Sequence, residues 1–400
     1  MKIIIVGNGL AGVMAAKALR EFDQKLTIDI FAEENYHYYP RPNLIQFLAG
    51  SISQERVFAF SEDWYRSQNI QVHLGKPVIK IFPEAKEVEV KGEGKREYDY
   101  LLLTTGSSPF IPPFKGRDKK GVFTIRNFDN TLEIVEYLKN HNKTTVVGGG
   151  LLGLEIARAL KSRGAEVRVV EFFERLLPRQ LDEQGASLLK DQIEKMGIKV
   201  HLGLATDEVL GQEEVTGLKF KGGSVIKTEM AVVAAGIRSN ISLAQEAGLQ
   251  AERGIVVNDY LQTNHPAIYA AGDNCQHRGR VYGIIPASFE QARIAAANIL
   301  GQRKKYKGTI PANSLKVAGI QLTSLGEVTP EEKGFEEIRV EDREKGIYKK
   351  IVLRQDILVG AIWMGTKKGA DELARLIANR VNVKEWKESL LNDDFDFSLL

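Results

Sequence analysis

The sequence predicts an α/β protein in which one parallel-sheet unit is carried inside another, followed by a small C-terminal α+β domain. Three observations predict it. "KIIIVGNGLAG" opens the chain with a β-branched run and then Gly7, Gly9 and Gly12. "TTVVGGGLLGLE", residues 144–155, repeats the run and the spacing with Gly148, Gly150 and Gly153. After Pro311 the pattern changes to hydrophobic strands, "SLKVAGIQLTSLG" and "GIYKKIVLRQDILVGAIWMG".

Taken in order, Lys2 to Val6 reads as a buried strand, Gly7–Gly12 as a tight loop and Val13 to Arg20 as a helix. "LTIDIF" is the second strand, with Glu33 and Glu34 at its end. Continuous β-branched runs joined by a helix indicate parallel strands buried on both faces. "HLGKPVIKIFPEAKEVEV" alternates with a period of two and predicts part of an antiparallel meander. "YDYLLLTTGSSPFIPPF" is a further buried strand, a Gly/Ser turn and a proline-rich crossover at Pro109, Pro112 and Pro113. The second copy runs from the Thr144–Val147 strand through a Leu154 to Arg163 helix, capped by Gly164, to "EVRVVE", which ends at Glu171. "MAVVAAGIRSN" supplies a matching strand and turn around Gly236, "AIYAAGDNCQ" and the helix "ASFEQARIAAANIL" follow, and an amphipathic helix spans Ala370 to Asn379. The expected domains are 1–110 and 238–310 for a first Rossmann-like unit, 111–237 for a second inserted in it, and 311–400 for the C-terminal domain.

Lys+Arg at 55 nearly balance Asp+Glu at 52, and the bases are not gathered into runs, so nucleic acid is not an expected partner. A net charge of +3 still permits a basic patch for a small acidic partner. One cysteine, Cys275, rules out a CxxC pair or a cysteine cluster within these residues and fits a reducing cytoplasm. It reads as a small packing residue rather than a nucleophile. His37, His73, His141, His201, His265 and His277 show no ligand spacing, so no metal site is expected. The start of the chain superficially matches a signal peptide, but its n-region is one lysine and cleavage near Ala18 would remove the glycine loop. No segment reaches the ~18 consecutive apolar residues of a membrane span.

At Gly7-Asn8-Gly9-Leu10-Ala11-Gly12, and again at Gly148-Gly149-Gly150-Leu151-Leu152-Gly153, the first glycine allows the turn and the second lets backbone approach a pyrophosphate. The third lets helix and strand pack closely, and the phosphates sit at the positive end of the helix. The acids ending the second strands accept hydrogen bonds from a ribose diol, with Glu33 and Glu34 as alternatives in the first copy and Glu171 in the second. An acid at Glu171 favours NADH over NADPH, a preference that nearby Arg175 could soften.

Over nearly its whole length the arrangement resembles the pyridine nucleotide–disulfide-type reductases, flavoproteins with two dinucleotide sites. "LLLTTGSSP" is similar to that family's ATG segment, with Thr104 in place of alanine and Thr105-Gly106 matching. "IYAAGD" matches its GD motif, whose aspartate, here Asp273, meets the flavin ribityl chain. "KPVIKI" resembles the strand whose backbone, here at Val78, meets adenine. The resemblance implies FAD in the first site, NAD(P)H in the second, and Glu155 beside the nicotinamide; by itself an acid there also suits a helix N-terminus. "YYPRPNLIQFLAG" places Arg41 and Pro42 where relatives carry redox sulfur. Arg41 can neutralise the FAD pyrophosphate, and the helix beginning near Pro286-Ala287 can stabilise charge on the reduced flavin.

"RPNLIQFLAG" with "LKVAGIQLTSLGE" looks most like the NAD(P)H:rubredoxin oxidoreductases, with the flavin portions of NADH-dependent nitrite reductases close to them. No siroheme or cysteine-rich domain follows, so the full nitrite reaction is not expected. Lys316 is a candidate to approach the flavin or a docked carrier, against the alternative of a solvated strand-edge lysine. The expected activity is transfer of hydride from NADH to FAD and then of single electrons to a small acidic iron carrier such as rubredoxin or ferredoxin. The alternatives are an NADH oxidase using O₂ and a non-catalytic NADH-sensing flavoprotein. The acidic tail "NDDFDFSLL" reads as a disordered end.

Overall fold

The computed structural model describes residues 1–309, 312–330 and 332–400, with the backbone alone for 312–317. It is an α/β protein with two parallel sheets and a C-terminal antiparallel sheet. The chain forms two compact units. Met1–Phe47, Ile52–Ser108 and Ile237–Thr309 make the first; Leu48–Ser51, Pro109–Gly236 and Ile310–Leu400 make the second.

In the first unit, five parallel strands stand in the order Ile268–Ala270, Tyr100–Leu103, Lys2–Val6, Thr27–Phe31, Gln71–His73. The strand Lys2–Val6 is central because Ile3, Ile4 and Ile5 are wholly buried, with helices over the sheet. The next strand in sequence lies on one side of it and the Tyr100–Leu103 strand on the other. The order therefore reverses at its carboxyl end, where a doubly wound sheet opens a crevice. Gly7 stands there. A three-stranded antiparallel sheet, Val78–Phe82, Glu87–Val90 and Gly94–Glu97, forms the meander.

The second unit repeats the logic with Lys199–His201, Glu166–Val170, Lys143–Val147, Met230–Val233 and Val122–Phe123, all parallel. Its reversal point is the end of Lys143–Val147, at Gly148. The same unit contains the C-terminal domain, a five-stranded antiparallel sheet ordered Ala312–Val317, Ile320–Gly326, Ile357–Met364, Ile347–Arg354, Phe335–Asp342. Its core joins Trp363 to Leu373 and Ile377 of the Ala370–Asn379 helix. The tail is ordered, unlike the free end the sequence suggests. Phe395 and Phe397 pack on that core, and the buried Lys349 ammonium donates to Leu391 O at 2.9 Å and to Asp393. Among the described residues no helix is long and apolar enough to cross a membrane.

Candidate functional site

The first loop is shaped by steric exclusion. Gly7 has φ +112°, and a side-chain carbon there would lie 2.4 Å from Thr104 O; at Gly12 one would lie 2.0 Å from Gly7 O. Both positions need glycine. A carbon added at Gly9 meets nothing within 4 Å, so the space beside it is open. Gly9 is the N-cap of the Leu10–Phe22 helix, with no side-chain cap and no acid in the first turn. The N–H groups of Leu10, Ala11 and Gly12 thus face an open cradle, which fits a pyrophosphate. Asn8 beside them is fixed by the Tyr65 hydroxyl, which donates to its Oδ1 at 2.9 Å.

Thr104 has its hydroxyl 3.0 Å from both Val6 O and Gly7 O and so ties the loop to the neighbouring strand. Thr105 and Gly106 are bound to Asn240. The Thr105 hydroxyl donates to Asn240 O, Asn240 Nδ2 donates back to Thr105 O, and the Asn240 N–H donates to Gly106 O. Asp273 is half-buried, its carboxylate 3.2 Å from Ser107 Oγ and 3.5 Å from Ser288 Oγ, while its backbone oxygen accepts from Ser239 Oγ at 2.7 Å. Asn274 is fully buried and its Nδ2 donates to Leu103 O and Thr105 Oγ1. Ser107, Ser239, Asn240, Asn274 and Ser288 thus surround Asp273 and Thr105, and sequence reading did not single them out. No spacing rule signals them, since their partners lie across the fold.

Of the two acids after the second strand, Glu34 is engaged: Arg41 Nη2 donates to its Oε1 at 2.7 Å, and the Tyr39 hydroxyl bonds its other oxygen. Glu33 is exposed. Arg41 starts the Arg41–Leu48 helix with Pro42 second, and it also donates to the Tyr39 hydroxyl. Val78 is buried in the separate meander, opposite Val90. Pro286 is the second residue of the Ile285–Ile299 helix, whose Ser288 faces Asp273. Cys275 is wholly buried, and burial pushes its thiol far above the ordinary range, so it is no thiolate at neutral pH.

The second loop has the same construction. Gly148 has φ +123°, and a side-chain carbon there would lie 2.4 Å from Ala234 O. At Gly153 one would lie 1.9 Å from Gly148 O, and at Gly150 one meets open space. Gly150 caps the Leu151–Ser162 helix, which has no acid in its first turn. Glu171 is 7% exposed, and its two oxygens accept from the Gly149 and Phe173 N–H groups. Each carboxylate oxygen retains a lone pair for a ribose hydroxyl. Leu152, Phe172 and Phe173 are exposed beside the loop, and Gly236, φ +116°, borders open space. Arg175 donates to Pro178 O and lines a cavity of about 400 Å³ with Asp182, Arg339 and Lys350.

Glu155 is half-buried, and its Oε1 accepts the Ala318 N–H at 3.0 Å. Ala318, φ +47°, and Gly319, φ +89°, form the hairpin turn between the first two C-terminal strands. Lys316 pairs with Gln321 in that hairpin; its side chain lies outside the described residues. Among the described residues no His/Cys/Asp/Glu group could hold a metal.

Two glycine cradles at two sheet reversal points, each followed by a helix without a capping side chain, define an oxidoreductase of the two-dinucleotide class. The chain belongs to the pyridine nucleotide-disulphide oxidoreductase family, whose model matches residues 1–297; a rubredoxin NAD+ reductase C-terminal domain matches 311–381. It is 38% identical over 386 residues to the NAD(P)H nitrite reductase of Bacillus subtilis, covering 96% of this chain and 48% of that protein. It is 31% identical over 328 residues to the NADH-rubredoxin oxidoreductase of Clostridium acetobutylicum, 82% of each chain. The solved structure of NADH:rubredoxin oxidoreductase from Clostridium acetobutylicum superposes with a TM-score of 0.81 at 29% identity, covering 95% of this chain and 96% of that one. The chain spans about half the length of the nitrite and nitrate reductase relatives it matches. Family membership implies FAD and NADH as the cofactors, and both cradles fit a dinucleotide.

Proposed function

We propose that this protein passes reducing equivalents from NADH, through FAD, to a small one-electron iron carrier of the rubredoxin type. The observation that carries the reading is the absence of an internal thiol relay. The one cysteine of these 400 residues, Cys275, is wholly buried, and burial raises its thiol. The acceptor therefore lies outside these 400 residues. The match of residues 311–381 to a rubredoxin NAD+ reductase domain supports a rubredoxin-type acceptor.

Bound FAD supplies the conversion of a hydride into single electrons. The chain's residues bind and orient. Gly7–Gly12 and the Leu10–Phe22 helix hold the FAD pyrophosphate, with Glu33 left to accept its ribose because Glu34 is committed to Arg41. Ser107 and Ser288 aim the Asp273 carboxylate at the ribityl chain. Gly148–Gly153 and Glu171 hold NADH, and Glu155, steadied by the Ala318 N–H, stands beside the nicotinamide.

NADH consumption by the flavin-loaded protein, measured against rubredoxin, ferredoxin, nitrite and O₂, tests the reading. Turnover with rubredoxin is expected to exceed that with O₂ and to fall as salt rises, because the Debye length shrinks from ~10 Å at 0.1 M to ~3 Å at 1 M. Rates with rubredoxin no higher than with O₂ would support the second reading. That reading is favoured by a 32% identical relative over 343 residues, named an NADH oxidase, from Methanocaldococcus jannaschii.

A further inference from the structure

The Ile285–Ile299 helix has two chemically different faces. Ser288 turns inward to Asp273, and buried Gln291 accepts the Gly272 N–H at 2.8 Å. The residue after Ser288, Phe289, is 43% exposed. With Phe22, 37% exposed, and Ile294 it forms an open groove of about 390 Å³. The segment after the helix, "RKKYK", runs back past this groove. Tyr306 is buried and anchors it, its N–H donating to Asp259 O at 2.7 Å, while Arg303, Lys304, Lys305 and Lys307 are exposed. Lys304 Nζ lies 5.8 Å from the centre of the Phe22 ring. Of the acids beside it, Glu290 accepts from the Thr309 hydroxyl, Glu21 lies 3.6 Å from Arg293 and Asp259 pairs with Arg278. Arg293 and Lys304 line the groove itself, and the exposed Arg303, Lys305 and Lys307 extend its basic border.

We propose that this face docks a small acidic one-electron carrier protein. The inference rests on the functional reading above and specifies where the carrier sits. An exposed aromatic and an arginine beside an apolar groove are the residue types that anchor interfaces, and the cationic surround selects an acidic partner and speeds its encounter. Ser288, 3.5 Å from the Asp273 carboxylate, and Phe289 are adjacent on this helix, so the groove and the Asp273 site share one element.

The test compares Lys304→Glu/Lys305→Glu, Phe289→Ala and a control, Lys221→Glu/Lys227→Glu, which changes the charge equally at exposed lysines of the second unit. Each is assayed as holoenzyme with NADH for kcat/KM toward rubredoxin at low and high salt, and for ferricyanide reduction. The expected result for the first variant is a fall of about tenfold in kcat/KM at low salt with a flattened salt dependence. Phe289→Ala should raise KM for rubredoxin, and ferricyanide reduction should stay near wild type in all three. Unchanged rubredoxin kinetics in both groove variants, an equal loss in the control, or a parallel loss with ferricyanide overturns the proposal. So does a changed oligomeric state by light scattering with carrier kinetics intact, which would assign the face to a second copy of the chain. If the wild type itself passes electrons to no carrier faster than to O₂, the functional reading has failed and the docking face with it.

Discussion

Glu171 does two jobs that a substitution separates only in part. Its carboxylate holds the Gly149 and Phe173 N–H groups and so shapes the second glycine loop, and under the proposed function its remaining lone pairs accept from a ribose diol. Glu171→Ala loses both. Loosening of the loop weakens NADH and NADPH alike, because both place a pyrophosphate there. Loss of the diol acceptor affects NADH, and removal of the negative charge relieves NADPH. The ratio of the two dissociation constants therefore isolates the diol contribution. One charged hydrogen bond is worth roughly 1.5–3 kcal/mol, so the NADH preference should fall about ten- to a hundredfold. Titration of both nucleotides against wild type and variant checks this. An equal loss for both would leave Glu171 as a loop-shaping residue alone.

At the scale of elements, each loop and its helix form a unit whose third glycine is set by backbone contact. A methyl at Gly12 would meet Gly7 O at 2.0 Å, and one at Gly153 would meet Gly148 O at 1.9 Å. Neither oxygen can retreat without moving a strand end. Gly12→Ala should purify with little FAD. Gly153→Ala should keep its flavin yet require at least tenfold more NADH for half-maximal flavin reduction. Flavin content from absorbance and NADH titration under anaerobic conditions read the two effects; loss of FAD from Gly153→Ala with FAD retained by Gly12→Ala would exchange the two site assignments. The strands, loops and helices of this fold were legible because their signals are local: β-branched runs, glycines at fixed spacing, a two-residue alternation in the meander. The polar lattice around Asp273 was not, because its partners are far apart in sequence, 166 residues between Ser107 and Asp273 and 171 between Asn274 and Leu103. Glu33 and Glu34 were indistinguishable for the same reason. The reach of Arg41 back to Glu34 is a property of the folded loop, not of the spacing. The tail misled because its acids suggest solvent, whereas its phenylalanines and the buried Lys349 hold it down.

For the molecule as a whole, the second unit depends on a buried ion network that joins its nucleotide-binding part to its C-terminal sheet. Asp182 is the N-cap of the Glu183–Lys195 helix, accepting the Gly185 N–H at 3.0 Å. Its other oxygen accepts from the Tyr348 hydroxyl at 2.6 Å and from Lys350 at 3.1 Å, and Lys350, 2% exposed at its side chain, also meets Glu337 at 2.8 Å. Burial alone would raise the Asp182 carboxyl, but the Tyr348 hydroxyl, the Gly185 N–H and Lys350 together hold it below the usual 3.8. A carboxyl whose folded pKa is lowered stabilises the fold above the unfolded value and loses that contribution as pH falls through the folded one. Asp182→Asn removes the charge and leaves Lys350 buried with Glu337 alone. Breaking a buried pair costs about 3–5 kcal/mol, and the low end applies because Glu337 remains. At pH 7 the variant should therefore unfold at lower urea by roughly 3 kcal/mol with an unchanged m-value. Below about pH 4 the gap should narrow, since the unfolded wild-type carboxyl takes up its proton first and the folded one follows as pH falls through its lowered value. Urea titrations of both proteins at pH 7 and at successive steps into acid, while each remains folded, measure the gap directly. A gap that stays constant across that range would mean that the helix cap and packing, rather than the ion pair with Lys350, account for the loss.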